Sequence, residues 1–453
     1  MASNLLKTFE KIERGRQKCI GKANEVDFPL PSTASLDEIA LCIDNQGHID
    51  TYIKELKYLI DNDASHLDNP DLFRIPNDIK QIRSNGLLNL TVSNVIIPEY
   101  LETINSSACQ NWYNFSNDLI LPDTLKKIGS DVFINLGRNT GFGTLTIPNS
   151  VESMGINSFE GNGARVVNFD ANITEIPQSL CEAYTGNSSA TYSNYAYLEE
   201  FNISEERANK ITKLGASAFK FQNNLPKLPH LPNLTEIGSY SFAGCQPTEK
   251  FTVPATWTAE LGFHMFDRTW FQGGFEFEKG GVTSIDEYCF SWAEFNQEKL
   301  MFPENVYYFA NYCLQYISGN TPMTFGTKTY NVIPRVDLLC KDKVSVGYGM
   351  LSSAKIGTLV IHASNLAMIN SNGRVFQDTD MIKELVFPNL PATPPSIGGN
   401  VFYSGTPESI YLPDDYVATY KTASGWSTGA SNMKPISQWS GYAEYLEEFG
   451  GAE

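Results

Sequence analysis

A chain of 453 residues exceeds what one compact hydrophobic core serves, so it is either several domains or a repeat array. Hydrophobic residues at 42%, aromatics at 12% and charged residues at 19% exclude a wholly disordered chain. Acidic residues number 51 against 33 basic ones, and the formal charge of -18 repels phosphate backbones, which excludes nucleic acid as an expected partner.

Met1 to Gly21 alternates charged and apolar residues without an uninterrupted apolar core, which is neither a secretory signal nor a membrane anchor. No later stretch reaches the length of a spanning helix, so no membrane insertion is expected and the protein is soluble where it is made. Leu5, Leu6, Phe9 and Ile12 stand at helical spacing. Ser35 with Glu38 reads as a capping box opening a second short helix through Ile43. Ile49, Ile53, Leu56 and Ile60 follow one face of a third. Residues 1–62 are therefore expected to form a helical attachment or capping segment, and those eight apolar residues are the candidate assembly contacts. What they cover is the first repeat, another copy of the chain or another protein.

From Leu87 a unit recurs with a period of about twenty-five residues, the length of a solenoid repeat. Its clearest copies are LILPDTLKKIGSDVF (Leu119 to Phe133) and LTIPNSVESMGINSF (Leu145 to Phe159), with a looser one at Phe251 to Phe266. Prolines close an apolar triplet at 98, 122, 148, 254, 303, 388 and 413. Aromatics close the unit at Phe133, Phe159, Phe219, Phe242, Phe266, Phe290, Phe376 and Phe402. The triplet is a short strand with two side chains inward, and the proline, lacking an N–H, ends it and turns the chain. An Ile-Gly or Met-Gly pair then tucks under the turn, with Gly129, Gly155, Gly215 and Gly238 suited to a close or left-handed backbone position. The aromatic fills the far side of the coil. No unit covers its own apolar side chains, so neighbours must stack into a ladder of parallel strands with turns or 3₁₀ pieces on the other face. The expected solenoid runs over 87–437, with a closing unit at about 405–437.

Three segments depart from this spacing. Ala183 to Tyr197 reads as a long loop, Ser318 to Asp342 blurs the period, and 438–453 forms an acidic tail whose Tyr442, Tyr445, Leu446 and Phe449 suit a short docking helix. The eight cysteines, at 19, 42, 109, 181, 245, 289, 313 and 340, contain no C-x-x-C pair and read chiefly as buried thiols, with a disulfide ladder or zinc site as the alternative. Cys289 and Cys313 take similar places in successive repeats. A reducing cytosol is the expected folding compartment.

No catalytic motif appears. The five histidines, His48, His66, His230, His264 and His362, never form H-E-x-x-H, and there is no G-x-S-x-G elbow or phosphate-binding loop. The acidic surplus offers oxygen ligands for a divalent cation, but no loop has EF-hand spacing, so solubility is the simpler reading and no cofactor or metal is expected. The candidate recognition residues are aromatics outside the inward spacing: Trp257, Trp270, Phe271 and Trp292. Exposed aromatics stack on sugars or anchor protein interfaces, and the alternative for these four is core or turn packing.

The repeat L-x-I-P-x-x-L-x-x-I-G-x-x-A-F-x-x-C resembles the BspA-type leucine-rich repeat, found in surface proteins of Bacteroides-like bacteria and in the viruses, crAss-like phages among them, that infect them. Gly215 to Cys245 is a close copy, and Ile410 to Ser437 resembles the closing unit, a strand followed by a helix with Tyr-Lys and a Trp. The resemblance covers most of 87–437. It implies the solenoid fold and a non-catalytic binding role. The opening of the chain is similar to the starts of phage tail and fibre proteins. That similarity implies a virion fibre or appendage subunit, made in the bacterial host cytoplasm and touching other virion proteins, copies of itself in a homo-oligomer, or a host glycan or protein. A bacterial surface adhesin is the alternative, and a glycan-degrading tail spike the third.

Overall fold

The structure, a computed structural model, describes residues 72–75, 79–90, 93–183, 195–325, 327–368, 374–396 and 401–450. The three expected N-terminal helices, with Leu5, Leu6, Phe9, Ile12, Ile49, Ile53, Leu56 and Ile60, lie outside these residues, as do Cys19, Cys42, His48, His66 and most of the expected loop after Ala183.

The chain is a parallel-strand β-solenoid of about 14 turns. By packing it divides into Met1–Lys210 and Ile211–Glu453. In the first unit the apolar triplets form one parallel ladder, Leu119–Ile120, Phe142–Ile147, Ala164–Phe169 and Glu200–Asn202, in which Leu119, Leu145, Val167 and Phe201 stand in register. Leu119, Leu145 and Val167 are buried while the alternating Ile120 is exposed, as a period of two demands. A second ladder, not anticipated, runs through the strands Gln81–Ile82, Thr103–Ile104, Lys127–Ile128 and Ser153–Met154, the last two ending at the Ile-Gly and Met-Gly pairs. The repeat also begins upstream of Leu87, since Leu72–Arg74 already pairs in parallel with Asn94–Ile96.

Proline turns the chain as its chemistry requires. The carbonyls of Pro98, Pro122 and Pro148 each accept the N–H of the residue three places on, Leu101, Leu125 and Val151, at 3.0–3.3 Å. The glycine after the isoleucine is there for space. A Cβ on Gly129 or Gly155 would stand 2.4 Å from a backbone nitrogen of the preceding turn, and neither residue is left-handed.

The second unit repeats both ladders. One joins Lys299–Phe302, Lys328–Leu338, Ile356–Ile361, Ile382–Val386, Ser409–Leu412 and Met433–Pro435. The other joins Ser284–Ile285, Tyr308–Phe309, Lys343–Val346 and Asn365–Met368. A third short ladder links Trp270–Phe271, Glu294–Phe295 and Ser318–Gly319. The period blurs at 318–342 because Thr321–Phe325 folds back antiparallel on Lys328–Leu338, a hairpin inserted into one turn.

The closing aromatics stack through the coil. Phe219, Phe242, Phe266 and Phe290 lie 5.3–5.8 Å apart and 12–15° from parallel, all buried, and Phe133–Phe159 and Phe376–Phe402 stack likewise at 5.1 and 5.6 Å. Cys289 and Cys313 fill matching buried places, and the six described cysteines are buried and form no disulfide with one another. Burial pushes the Cys181 and Cys245 thiols up to about 12.

Among the described residues, 3₁₀ helix occurs at Asp414–Tyr416, Ser427–Asn432 and Ile436–Gln438, so the far face of the repeats is built of turns. The closing unit carries the helix Val417–Thr422, with Tyr420 and Trp426 buried under it. Within the acidic end the helix Tyr442–Phe449 forms and places Tyr445 in a buried cluster with Val360, Val386, Tyr411, Ile436 and Trp439. Tyr442 and Phe449 pack against that cluster, whereas Leu446 is exposed.

Candidate functional site

The regular turns on the far face bend at two left-handed residues, one two places before the buried core residue and one two places after it. Around Phe133 these are Asp131 and Asn135; around Phe290 they are Tyr288 and Trp292. Their N–H groups point along the solenoid. Those of Tyr240, His264, Tyr288 and Tyr312 donate to the carbonyls of Phe263, Glu287, Asn311 and Tyr348 in the next turn. Position in the turn is thus fixed by backbone bonding, and the side chain is free to vary.

The two units use that freedom differently. In the first unit all described non-glycine left-handed residues are Asn, Asp or Ser: Asn85, Asn89, Ser107, Asn111, Asp131, Asn135, Asn157 and Ser179. These residues tolerate the conformation, and they bond along the column, Asn111 Nδ2 to Asn89 Oδ1 at 2.9 Å and Asn135 Nδ2 to Asn111 Oδ1 at 2.8 Å. In the second unit, beside Ser217, Arg268, Ser353, Asp378 and Ser404 among the described residues, seven of these positions hold rings, Phe221, Tyr240, His264, Tyr288, Trp292, Tyr312 and Tyr316. Each such residue costs about 1–2 kcal/mol in this backbone region. Strain of this kind collects at functional sites.

These side chains form two surface columns. In one, Tyr240, His264, Tyr288 and Tyr312 stack at 4.5, 4.8 and 5.2 Å, 7–13° from parallel, and Tyr348 meets Tyr312 edge-on. Phe263, 37% exposed, leans edge-on against Tyr240, His264 and Tyr288. In the other, Trp292, 52% exposed, lies 4.0 Å over Tyr316. In sequence between the columns, after the stacked core residue, come Asp267, Ser291 and Gln315, and Gln315 Nε2 donates to Ser291 Oγ at 2.9 Å. Burial, then Tyr348 and Tyr288, push the Tyr312 phenol up to about 12; burial and then Asp267 raise Tyr240. Both phenols stay neutral donors. His264 Nδ1 stands 3.4 Å from Asp267 Oδ2. Lys220 covers the rings of Phe221 and Tyr240, and Arg374 lies 3.8 Å over Tyr403 and donates to the Tyr348 hydroxyl.

Of the four aromatics singled out by sequence, only Trp292 belongs to this surface. Trp257 is buried, its Nε1 donating to the Leu231 carbonyl at 2.6 Å, and Phe271 is buried between Phe266, Phe275 and Phe295, so neither can touch a ligand. Trp270 is half-buried in a short strand. The tyrosines and His264 were missed, although their offset of two from each closing phenylalanine is a readable signal. No three His, Cys, Asp or Glu side chains converge as metal ligands among the described residues. No helix among them is long and apolar enough to cross a membrane.

Several solved structures are similar. A leucine-rich repeat protein from Bacteroides ovatus aligns at 12% identity and TM-score 0.39, over 70% of this chain and 78% of that one. The pneumococcal vaccine antigen PcpA aligns at 15% and 0.36, over 81% and 78%. A leucine rich cell surface protein from Faecalibacterium prausnitzii aligns at 13% and 0.29, over 82% and 91%. No curated protein matches the chain. Residues 65–189 and 185–321 match the BspA type leucine rich repeat region, in 6 copies. With more than half its length matched and strands, prolines and phenylalanines in that repeat's places, the chain belongs to the BspA type leucine-rich repeat family.

Proposed function

We propose that this protein is a non-catalytic binding protein whose ligand docks on the aromatic turn face of the second unit. One observation carries the reading: rings occupy left-handed positions there that Asn, Asp and Ser occupy in the first unit, at a conformational cost that the fold itself does not require. The placement we propose is a virion fibre or appendage subunit, on the similarity of its opening to tail and fibre proteins. In that placement it contacts sister copies, other virion proteins and a host surface.

The test is binding of the full chain to envelopes of candidate host bacteria, compared with a triple variant Tyr288→Asn, Trp292→Asn, Tyr316→Asn. Removing this cluster is expected to weaken binding by about a hundredfold, the size of a hot-spot loss. Binding that the triple variant retains in full would refute the assignment of this face. Probing purified particles with an antibody against the chain tests the placement, and detection on bacterial cells alone would make it a surface adhesin.

A further inference from the structure

Which ligand the turn face takes can be narrowed from its geometry, on the reading that this face binds. Rings stacked within a column cover one another's faces, so Tyr240, His264, Tyr288 and Tyr312 present chiefly edges and polar atoms to solvent. Trp292 differs. One face rests on Tyr316, no ring lies on the other among the described residues, and half of its surface is exposed. The Ser291–Gln315 hydrogen-bonded pair stands one residue before Trp292 and Tyr316 respectively. Ser291 is buried, so its hydroxyl holds the Gln315 amide in place, and the surface offers one flat apolar platform beside that amide and the tyrosine hydroxyls.

Charge narrows the choice further. A chain of net charge -18 disfavours an anionic ligand such as a nucleotide or acidic polymer. A cationic peptide would seek ring faces, but at Trp292 it would stand beside Arg268, which holds the same left-handed place one turn earlier, and elsewhere Lys220 already covers Phe221 and Tyr240 and Arg374 covers Tyr403. What remains is an uncharged ligand with a flat C–H face and a rim of hydroxyls. The spacing of the column, 4.5–5.2 Å per turn, is also about the length of one sugar ring. We infer that the ligand is a neutral polysaccharide, one pyranose ring lying against the face of Trp292 away from Tyr316 with its hydroxyls toward Gln315 and the tyrosine column.

Affinity electrophoresis of the full chain through native gels containing soluble glucan, mannan or galactomannan tests this. At least one neutral polymer is expected to retard it. Trp292→Ala should weaken that retardation by about tenfold or more, as loss of an aromatic anchor does, with the circular dichroism spectrum unchanged. Trp292→Phe should restore part of it, because a ring face remains. If none of the three polymers retards the chain, or Trp292→Ala runs as the wild type does, the inference is overturned. Envelope binding separates this from the binding role itself. Binding that requires Trp292, survives periodate oxidation of the envelopes and is abolished by protease treatment would identify a protein ligand, ending the carbohydrate inference while leaving the binding face in place.

Discussion

Trp292 and Tyr316 lie face to face, ring centroids 4.0 Å apart and 12° from parallel, each on a left-handed residue at φ 59° and 55°. The backbone conformation costs about 1–2 kcal/mol per residue, and a stacked aromatic pair offsets about 0.5–1.5 kcal/mol. Stability alone does not explain why rings stand here. Trp292→Asn, which takes up the left-handed conformation readily, is expected to leave the free energy of urea unfolding within about 1 kcal/mol of wild type while binding is lost. A large destabilisation would instead make the pair a structural clamp.

The phenylalanine stack is the opposite case. Phe266 is fully buried, 5.8 Å from Phe242 and 5.3 Å from Phe290. Phe266→Ala should cost about 3–5 kcal/mol, the transfer of a large ring plus the cavity it leaves. Phe263→Ala, three residues away on the surface, should cost less than about 1 kcal/mol. Denaturant titration of both variants checks the pair, and equal losses would contradict the assignment of inside and outside.

Gly238 tests the spacing between turns. A Cβ there would fall 2.2 Å from the backbone nitrogen of Ala216, and backbone cannot step aside as a flexible side chain does. Gly238→Ala is expected to destabilise by about 1–3 kcal/mol, the range for overpacking, although alanine suits its backbone angles. A neutral or stabilising effect in thermal unfolding would show that the turns stand further apart.

The coil was legible in the sequence because proline and phenylalanine each act inside one turn and so recur with its period. Pro122 and Pro148 end strands, and Phe133 and Phe159 stack, each through chemistry that needs only the neighbouring copy. The Ile-Gly pairs hid a second ladder because two residues of strand give no alternation to read, as at Lys127–Ile128. The recognition surface was legible only in part. Trp257 and Trp292 look alike as isolated tryptophans, yet one caps the interior by donating to Leu231 and the other stands outside on a left-handed turn. What separates them is offset from the closing phenylalanine: Trp292 follows Phe290 by two, as Asn135 follows Phe133. The inserted hairpin had no such cue, since Thr321–Phe325 pairs only with the start of Lys328–Leu338, ahead of the residues that join the repeat's ladder.

The C-terminal helix is held over the sheet by a buried charge. Asp337 has no exposed surface; its carboxylate lies 2.9 Å from Arg335 Nε, 3.0 Å from His362 Nε2 and 3.6 Å from Lys299 Nζ. Lys299 and Arg335 in turn reach Glu448, and Arg335 also approaches Glu444, while Phe449 and Tyr445 pack on the His362 ring. Burial alone would raise the Asp337 carboxyl, but the His362 hydrogen bond, then Arg335 and Lys299, outweigh it and hold the pKa below the usual 3.8. A carboxyl depressed in the folded state contributes stability in full above its unfolded value and loses it as pH falls through the folded one. The latch should therefore hold at neutral pH and weaken only below 3.8. Asp337→Ala, leaving Arg335 and His362 without their shared anion, should cost about 3–5 kcal/mol at neutral pH and reduce the acid-side loss of stability. Urea unfolding of both proteins across the acid range, with proteolytic release of 442–449 as the local readout, measures this. A wild type whose acid sensitivity matches that of Asp337→Ala would show that this carboxylate does not hold the helix down.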